Sequence, residues 1–164
     1  MPKPIVTPRG DTQPATPAQM SRFEKRFRIE LPANYKSFLK ASNGGEPKPF
    51  TFRYRDTNQV EESSGVDVFL HLGNGEWGLD EYVEMHFSNK TVPRGYLPIA
   101  FDMFGDLICL VIQGDETGQI RMCPTDLGLL QTGHDGYPRS VSTVKIANSL
   151  EAFLESFCED DTED

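Results

Sequence analysis

Apolar residues recur at helical spacing near both ends of the chain. Behind Thr16, which can cap a helix, apolar positions three and four residues apart predict a first helix at about residues 17–28. A second helix is predicted from Pro32, which suits a first helical turn, to Asn43, where Asn-Gly supplies a left-handed stop. The side chains assigned to the core from this spacing are Tyr35, Phe38, Leu39, Phe153 and Phe157.

The middle of the chain changes to a period of two residues, which is the pattern of half-buried strands. The run at 107–112 is apolar on both faces and is therefore predicted to be a central strand. The polar residues 58–65 are predicted to form a loop. Alternating or continuously apolar runs predict strands at residues 50–54, 66–72, 96–101, 107–112, 119–123 and 144–146.

Two further helices are predicted from start signals. The glycine-rich residues 73–80 lead into a short helix at 81–87, with Asp80 as its expected cap. Near the C-terminus, Asn148 and Glu151 have the spacing of a capping box ahead of the last apolar helical stripe. The chain is therefore expected to end in a helix.

The order of these elements predicts an α+β fold. The strands are joined by hairpin-length connections and are expected to form a mainly antiparallel sheet. The N-terminal helices and the C-terminal helix pack on this sheet and cover one side of it. Residues 1–16 are rich in proline and are predicted to be a flexible tail that packs no core. Residues 17–158 are then a single domain, and 159–164 are a solvated acidic tail.

Charge and cysteine content narrow the classes of function. The 164 residues carry a formal net charge of −9 without a cluster of Lys and Arg, so direct nucleic-acid binding is not expected and a basic partner is favoured. The sequence shows no apolar run of membrane-spanning length and no secretory signal, so we expect no membrane association and a cytoplasmic location. Three cysteines with long spacings are expected to be buried free thiols: Cys109, Cys123 and Cys158.

Motifs for catalysis are missing from the sequence. Its histidines and cysteines have neither H-E-x-x-H nor C-x-x-C spacing, and its serines lack the G-x-S-x-G context. The glycine-rich segment before residue 80 lacks the Lys-Ser/Thr ending of a phosphate loop, and Glu76 would repel phosphate. We therefore predict a non-enzymatic protein with no catalytic residue, no metal and no cofactor.

Five segments, in this order, resemble the SUKH superfamily, the Smi/Knr-type domain. The resemblance extends from about Thr16 to Phe157 and implies an α+β binding domain without enzymatic activity. The segments are Phe23-Glu24, Leu31-Pro32 through Asn43-Gly44-Gly45, Leu97-Pro98-Ile99-Ala100 through Gly105-Asp106, Gly114-Asp115-Glu116 through Gln119-Ile120, and Ile146 through Leu154.

The resemblance implies two possible roles. Bacterial members resemble antidotes, which implies an immunity protein that binds and neutralises a cognate polymorphic toxin such as a nuclease effector. Fungal relatives imply an alternative, a regulatory scaffold whose Pro-rich tail and acidic end recruit other cellular proteins. A third alternative, from a different class, is a small-molecule hydrolase with carboxylate acid–base chemistry.

The partner interface is expected in loops, because immunity surfaces differ with the toxin that they meet. Two structural alternatives remain open at this point. Trp77 also suits core packing, and the aspartates near residue 104 also suit turns in which a carboxylate bonds the local backbone. The predicted partner-binding residues are Glu76, Trp77, Asp80, Glu81, Asp102 and Asp106.

Overall fold

The computed structural model describes residues 3–124 and 132–159. Four α-helices are present in this part of the chain, α1 (Pro17–Phe27), α2 (Ala33–Ala41), α3 (Leu79–Ser88) and α4 (Leu150–Glu155), together with a short 3-10 helix at Ser140–Ser142. None of them is long and apolar enough to cross a membrane. The strands are β1 (Ile5–Thr7), β2 (Glu46–Lys48), β3 (Thr51–Arg55), β4 (Glu61–Phe69), β5 (Tyr96–Asp102), β6 (Leu107–Val111), β7 (Ile120–Cys123) and β8 (Val144–Ala147).

The predicted α+β fold with an antiparallel sheet is confirmed. Six strands pair in the order β3-β4-β5-β6-β7-β8, each antiparallel to its neighbour, while β1 and β2 form a separate two-stranded sheet. The edge strands β3 and β8 lie close to each other. Because the two ends of the sheet approach each other, it is strongly curved.

The helices cover one face of this curved sheet, as predicted. Tyr35 and Leu39 of α2 are fully buried, and Phe38 packs at 5.0 Å, ring to ring, on Phe69. From α4, Phe153 lies 5.2 Å from the ring of Phe52. The five side chains assigned to the core from helical spacing all belong to this cluster.

The opposite face of the sheet is also buried at β6 and the strands beside it, which corrects the expectation that only one side is covered. Side chains of β6 alternate between the two faces, and both sets are buried, so a second apolar cluster forms behind the first. Two of its members are thiols, Cys109 and Cys123, whose sulfur atoms are 3.5 Å apart. They are free and buried as predicted, while the free Cys158 is only half-buried. Burial raises the pKa of the Cys109 thiol, which therefore stays protonated at neutral pH.

Four local predictions are wrong. Helix α2 ends at Ala41 with Ser42 as its cap in an extended conformation, so Asn43-Gly44 does not supply the predicted left-handed stop. Residues 61–65, predicted as loop, are the first half of β4. Their backbone pairs with β3, and this pairing does not require apolar side chains. Helix α3 begins behind Gly78 rather than Asp80. At α4 the cap is Ser149, whose hydroxyl accepts from the backbone N–H of Ala152 at 3.0 Å.

The N-terminal segment packs on the domain, so the prediction that it packs no core is wrong for residues 5–15. Strand β1 pairs with β2, and Ala15 is buried in the main core. The close approach depends on Gly45, which has φ +120° and where a β-carbon would stand 2.1 Å from the carbonyl oxygen of Thr7. The Pro-rich composition did not indicate this long-range contact. Residues 1–2 and 160–164, part of the two predicted tails, lie outside the described residues.

Replacing the buried Asn43 by alanine should lower the free energy of unfolding by about 2 kcal/mol. Its amide nitrogen donates to the carbonyl of Gln13 at 2.9 Å, and its amide oxygen accepts from the N–H of Leu72 at 2.8 Å. The substitution would leave both backbone groups without partners. Urea unfolding of Asn43→Ala measures the loss, with the exposed Asn58→Ala as control. Equal stability of the two variants would contradict this role.

Candidate partner-binding surfaces

Four of the six predicted partner-binding residues lie in or directly after the loop at residues 73–78, here called the tryptophan loop. The loop is closed by backbone bonds, among them one from the N–H of His71 to the carbonyl of Trp77 at 3.0 Å. Asp80 accepts from the N–H of Gly73 at 2.9 Å, and Glu81 accepts from the N–H of Gly75 at 3.3 Å. These two carboxylates therefore hold the loop against the start of α3.

The Trp77 side chain packs against neighbouring aromatic residues instead of projecting into solvent. It adopts a left-handed backbone with φ +64°, and its ring stacks on Tyr82 at 6.1 Å and meets the edge of Phe101 at 5.6 Å. The guanidinium of Arg9 lies over the indole, 5.3 Å from the ring centroid. This arrangement favours the core-packing alternative for Trp77, and its role in partner binding stays a prediction.

Two arginines, which sequence reasoning missed, pair with the acidic residues of this region. Arg9 forms an ion pair of 2.6 Å with Glu46 and lies 3.9 Å from Glu76. Arg26 pairs with Asp80 at 3.4 Å and also contacts Glu84. Glu76 nevertheless remains 79% exposed, and Glu81 is exposed as well. The exposed carboxylates of the tryptophan loop are therefore partly compensated by nearby cations.

Asp102 is not a surface residue, which corrects its assignment as a partner-binding residue. It is 2% exposed and lies at the end of β5. One carboxylate oxygen accepts from the N–H groups of Phe104 and Asp106 at 3.0 and 2.8 Å, and the other accepts from the Ser64 hydroxyl at 3.0 Å. The structural alternative is therefore correct for this residue. Asp106, which follows in the turn, is half-buried.

The predicted residues do not form one surface. Phe101 contacts the tryptophan cluster, whereas the carboxylate of Asp102, the next residue, contacts Ser64 of β4. Successive strand residues point to opposite faces, so the Asp102 side chain and the tryptophan loop belong to different sides of the sheet. Sequence analysis grouped these residues because alternation along a strand separates its two faces but does not show which element of the fold packs on each face.

An exposed apolar surface lies beside the β5–β6 turn, and we call its three residues Phe50, Met103 and Phe104 the turn patch. Phe104 is 75% exposed, Met103 is 55% exposed and Phe50 is 41% exposed. Two of them lie beside Gly65: its carbonyl accepts from the N–H of Met103 at 2.8 Å, and the ring of Phe50 occupies the space where a side chain of Gly65 would stand. Phe104 follows Met103 in the turn. Two adjacent large apolar residues inside a predicted turn were the missed sequence signal.

Carboxylates surround one side of this turn. Burial first, and then the negative charges of Glu62, Asp102, Asp106 and Asp56, raise the pKa of Tyr54. Glu62 stands directly across from Tyr54 in the β3–β4 register, so their side chains share a face. The ring of Phe50 lies at the Gly65 position on the opposite face of this strand pair, which also carries Arg53 and Arg55.

Comparison with known protein families identifies one match. A family model described as SMI1 / KNR4 family (SUKH-1) matches residues 14–156, a range that contains all four α-helices and the six-stranded sheet. A comparison with curated proteins finds no match.

Proposed function

The chain belongs to the SMI1 / KNR4 (SUKH-1) family, and from this premise we propose that it is a cytoplasmic immunity protein that binds a cognate toxin and neutralises it. In this proposal it is not an enzyme: it acts by occupying the toxin surface. Neutralisation is steric, so binding alone is sufficient for protection.

The turn patch is the observation that carries the proposal. Phe104 is a large aromatic side chain that is mostly exposed, although the fold offers two buried apolar clusters. Aromatic side chains surrounded by polar groups are typical anchors of protein–protein interfaces. The formal net charge of −9 would attract a cationic toxin such as a nuclease and speed its association.

The scaffold alternative placed recruitment of partners in the Pro-rich residues 1–16. Strand β1 and Ala15 are engaged with the domain itself, which leaves less of that segment available to a partner. The observations therefore favour the immunity role over the scaffold.

Co-expression tests the immunity role. The toxin encoded next to this chain's gene should arrest growth when it is expressed alone, and growth should recover when this chain is expressed with it. An inactive variant of that toxin should form a stable complex with the purified chain, detected as co-elution in size-exclusion chromatography. Failure to restore growth against every neighbouring toxin would contradict the proposal.

A further inference from the structure

We infer that the ring face of Trp77 and the carboxylates of Glu46 and Glu76 form a site for an arginine side chain of the partner protein. In the chain alone this site is occupied by its own Arg9, which the partner's arginine displaces. The inference rests on the proposed function and deepens it by naming the chemical group that the partner presents. It also gives the tryptophan loop, where four of the predicted residues lie, a contact of its own.

The position of Arg9 shows which group the site selects. Its guanidinium carbon lies 5.3 Å from the centroid of the Trp77 ring. One terminal nitrogen lies 2.6 Å from Oε1 of Glu46, and the other lies 3.9 Å from Oε1 of Glu76. The face of an indole attracts a planar cation, and carboxylates at the edge of that cation accept from its N–H groups. The chemistry of the site is therefore that of a guanidinium receptor.

The walls of the site do not depend on Arg9 alone. The ring of Trp77 also stacks on Tyr82 and meets the edge of Phe101. Glu46 belongs to β2, whose backbone is paired with β1. The aromatic wall and the carboxylate wall are therefore held by separate elements of the fold, and the site should keep its shape when the Arg9 side chain leaves it.

Arg9 is an occupant that a competitor can replace. Its side chain is 37% exposed, and no residue between 3 and 12 is fully buried. The Nε of Arg9 and the indole Nε1 of Trp77 are both buried without a hydrogen-bond partner in the described part of the chain, so Arg9 satisfies the site incompletely. Ion pairs at exposed positions are individually weak, and only one side chain has to move to admit the partner's arginine.

Fluorescence tests the site without the toxin, because Trp77 is the single tryptophan of the chain. Arg9→Gln empties the site, and Arg22→Gln, at an exposed position of α1, is the matched control. Each protein is titrated with N-acetyl-arginine amide and, separately, with sodium chloride at the same ionic strength. Arg9→Gln should show a saturable change in emission with the arginine compound, at a concentration about tenfold lower than the unmodified chain or Arg22→Gln requires, because the tethered competitor is gone.

A second pair of variants tests the carboxylate wall. Glu46→Gln added to Arg9→Gln should abolish the saturable change, whereas Glu155→Gln, at an exposed position of α4, should leave it in place. Circular dichroism checks that every variant is folded. A folded Arg9→Gln protein without a saturable response, or one that responds equally to sodium chloride, would overturn the inference.

Binding of the toxin tests whether the partner uses the site. The probe is an inactive variant of the toxin encoded by the neighbouring gene, with affinity measured by surface plasmon resonance. Arg9→Gln should bind it about threefold more tightly than Arg22→Gln, because no intramolecular competitor has to leave. The double variant Glu46→Gln with Glu76→Gln should bind about tenfold more weakly than Glu30→Gln with Glu155→Gln, which removes the same charge from exposed positions elsewhere.

The outcomes separate this inference from the proposed function. If the unmodified chain binds the toxin and restores growth while these variants bind like their controls, the inference is overturned and the immunity role stands. If the unmodified chain neither binds the toxin nor restores growth, the proposed function fails. The fluorescence titration then tests the site by itself: a saturable response of Arg9→Gln supports an arginine site at Trp77, and its absence overturns it.

Discussion

Substitution of Asp102 by alanine is expected to lower the free energy of unfolding by about 3 kcal/mol. The carboxylate is buried and accepts three hydrogen bonds, two from backbone N–H groups of the β5–β6 turn and one from the Ser64 hydroxyl. Alanine would leave all three donors without this acceptor and would release the turn that carries Phe104. Denaturant unfolding followed by circular dichroism measures the loss.

Two further variants determine whether the hydrogen bonds are responsible. Asp102→Asn keeps an oxygen that can accept from the turn and should recover more than half of the stability lost in Asp102→Ala. Asp115→Ala, at an exposed position in the β6–β7 turn, should change stability by less than about 0.5 kcal/mol. An Asp102→Ala protein as stable as Asp115→Ala would show that the carboxylate does not hold the turn.

Substitution of Phe153 by alanine is expected to be the most damaging single change, at about 4 kcal/mol. The side chain is fully buried, and its ring lies 4.8 Å from Phe157, 5.2 Å from Phe52 and 6.5 Å from Phe69. It therefore joins α4 to two strands of the sheet. Removal leaves a cavity and also weakens the packing of the short helix, which is too short to be stable alone.

The matched comparison is Phe104→Ala, which removes the same side chain from an exposed position. It should change the free energy of unfolding by less than about 0.5 kcal/mol, because a ring that is already mostly in water loses little by truncation. Phe153→Leu should lose less than half as much stability as Phe153→Ala, since leucine fills most of the space. Similar losses for Phe153→Ala and Phe104→Ala would contradict the assignment of one ring to the core and of the other to the surface.

These two phenylalanines show where sequence patterns are informative. Phe153 follows Leu150 by three residues and precedes Phe157 by four, so helical spacing alone placed it in the core. Phe104 stands in a turn, where no period applies, and the sequence did not show that it is exposed. The turn that carries it is held by Gly65, about 40 residues away along the chain, whose carbonyl accepts from the N–H of Met103.

The candidate site was predicted less well than the fold, for the same physical reason. Asp102 and Glu76 look alike in sequence as acidic residues in glycine-containing connections, yet one is buried and the other is 79% exposed. A carboxylate in a turn bonds whichever donors the fold brings near it, and here one of these donors comes from Ser64 on the neighbouring strand. Likewise Arg9 covers Trp77 only because β1 pairs with β2.

The sequence by itself determined the four α-helices, the six strands of the main sheet, the antiparallel α+β fold and the family, because each of these depends on periodic apolar positions and on short motifs that act within a few residues. Only the tertiary structure decided that the sheet is buried on both faces around β6, that the N-terminal segment packs on the domain, and that the predicted acidic residues do not form one surface. These features depend on contacts between residues far apart in the chain, where strand alternation and register determine which side chains meet.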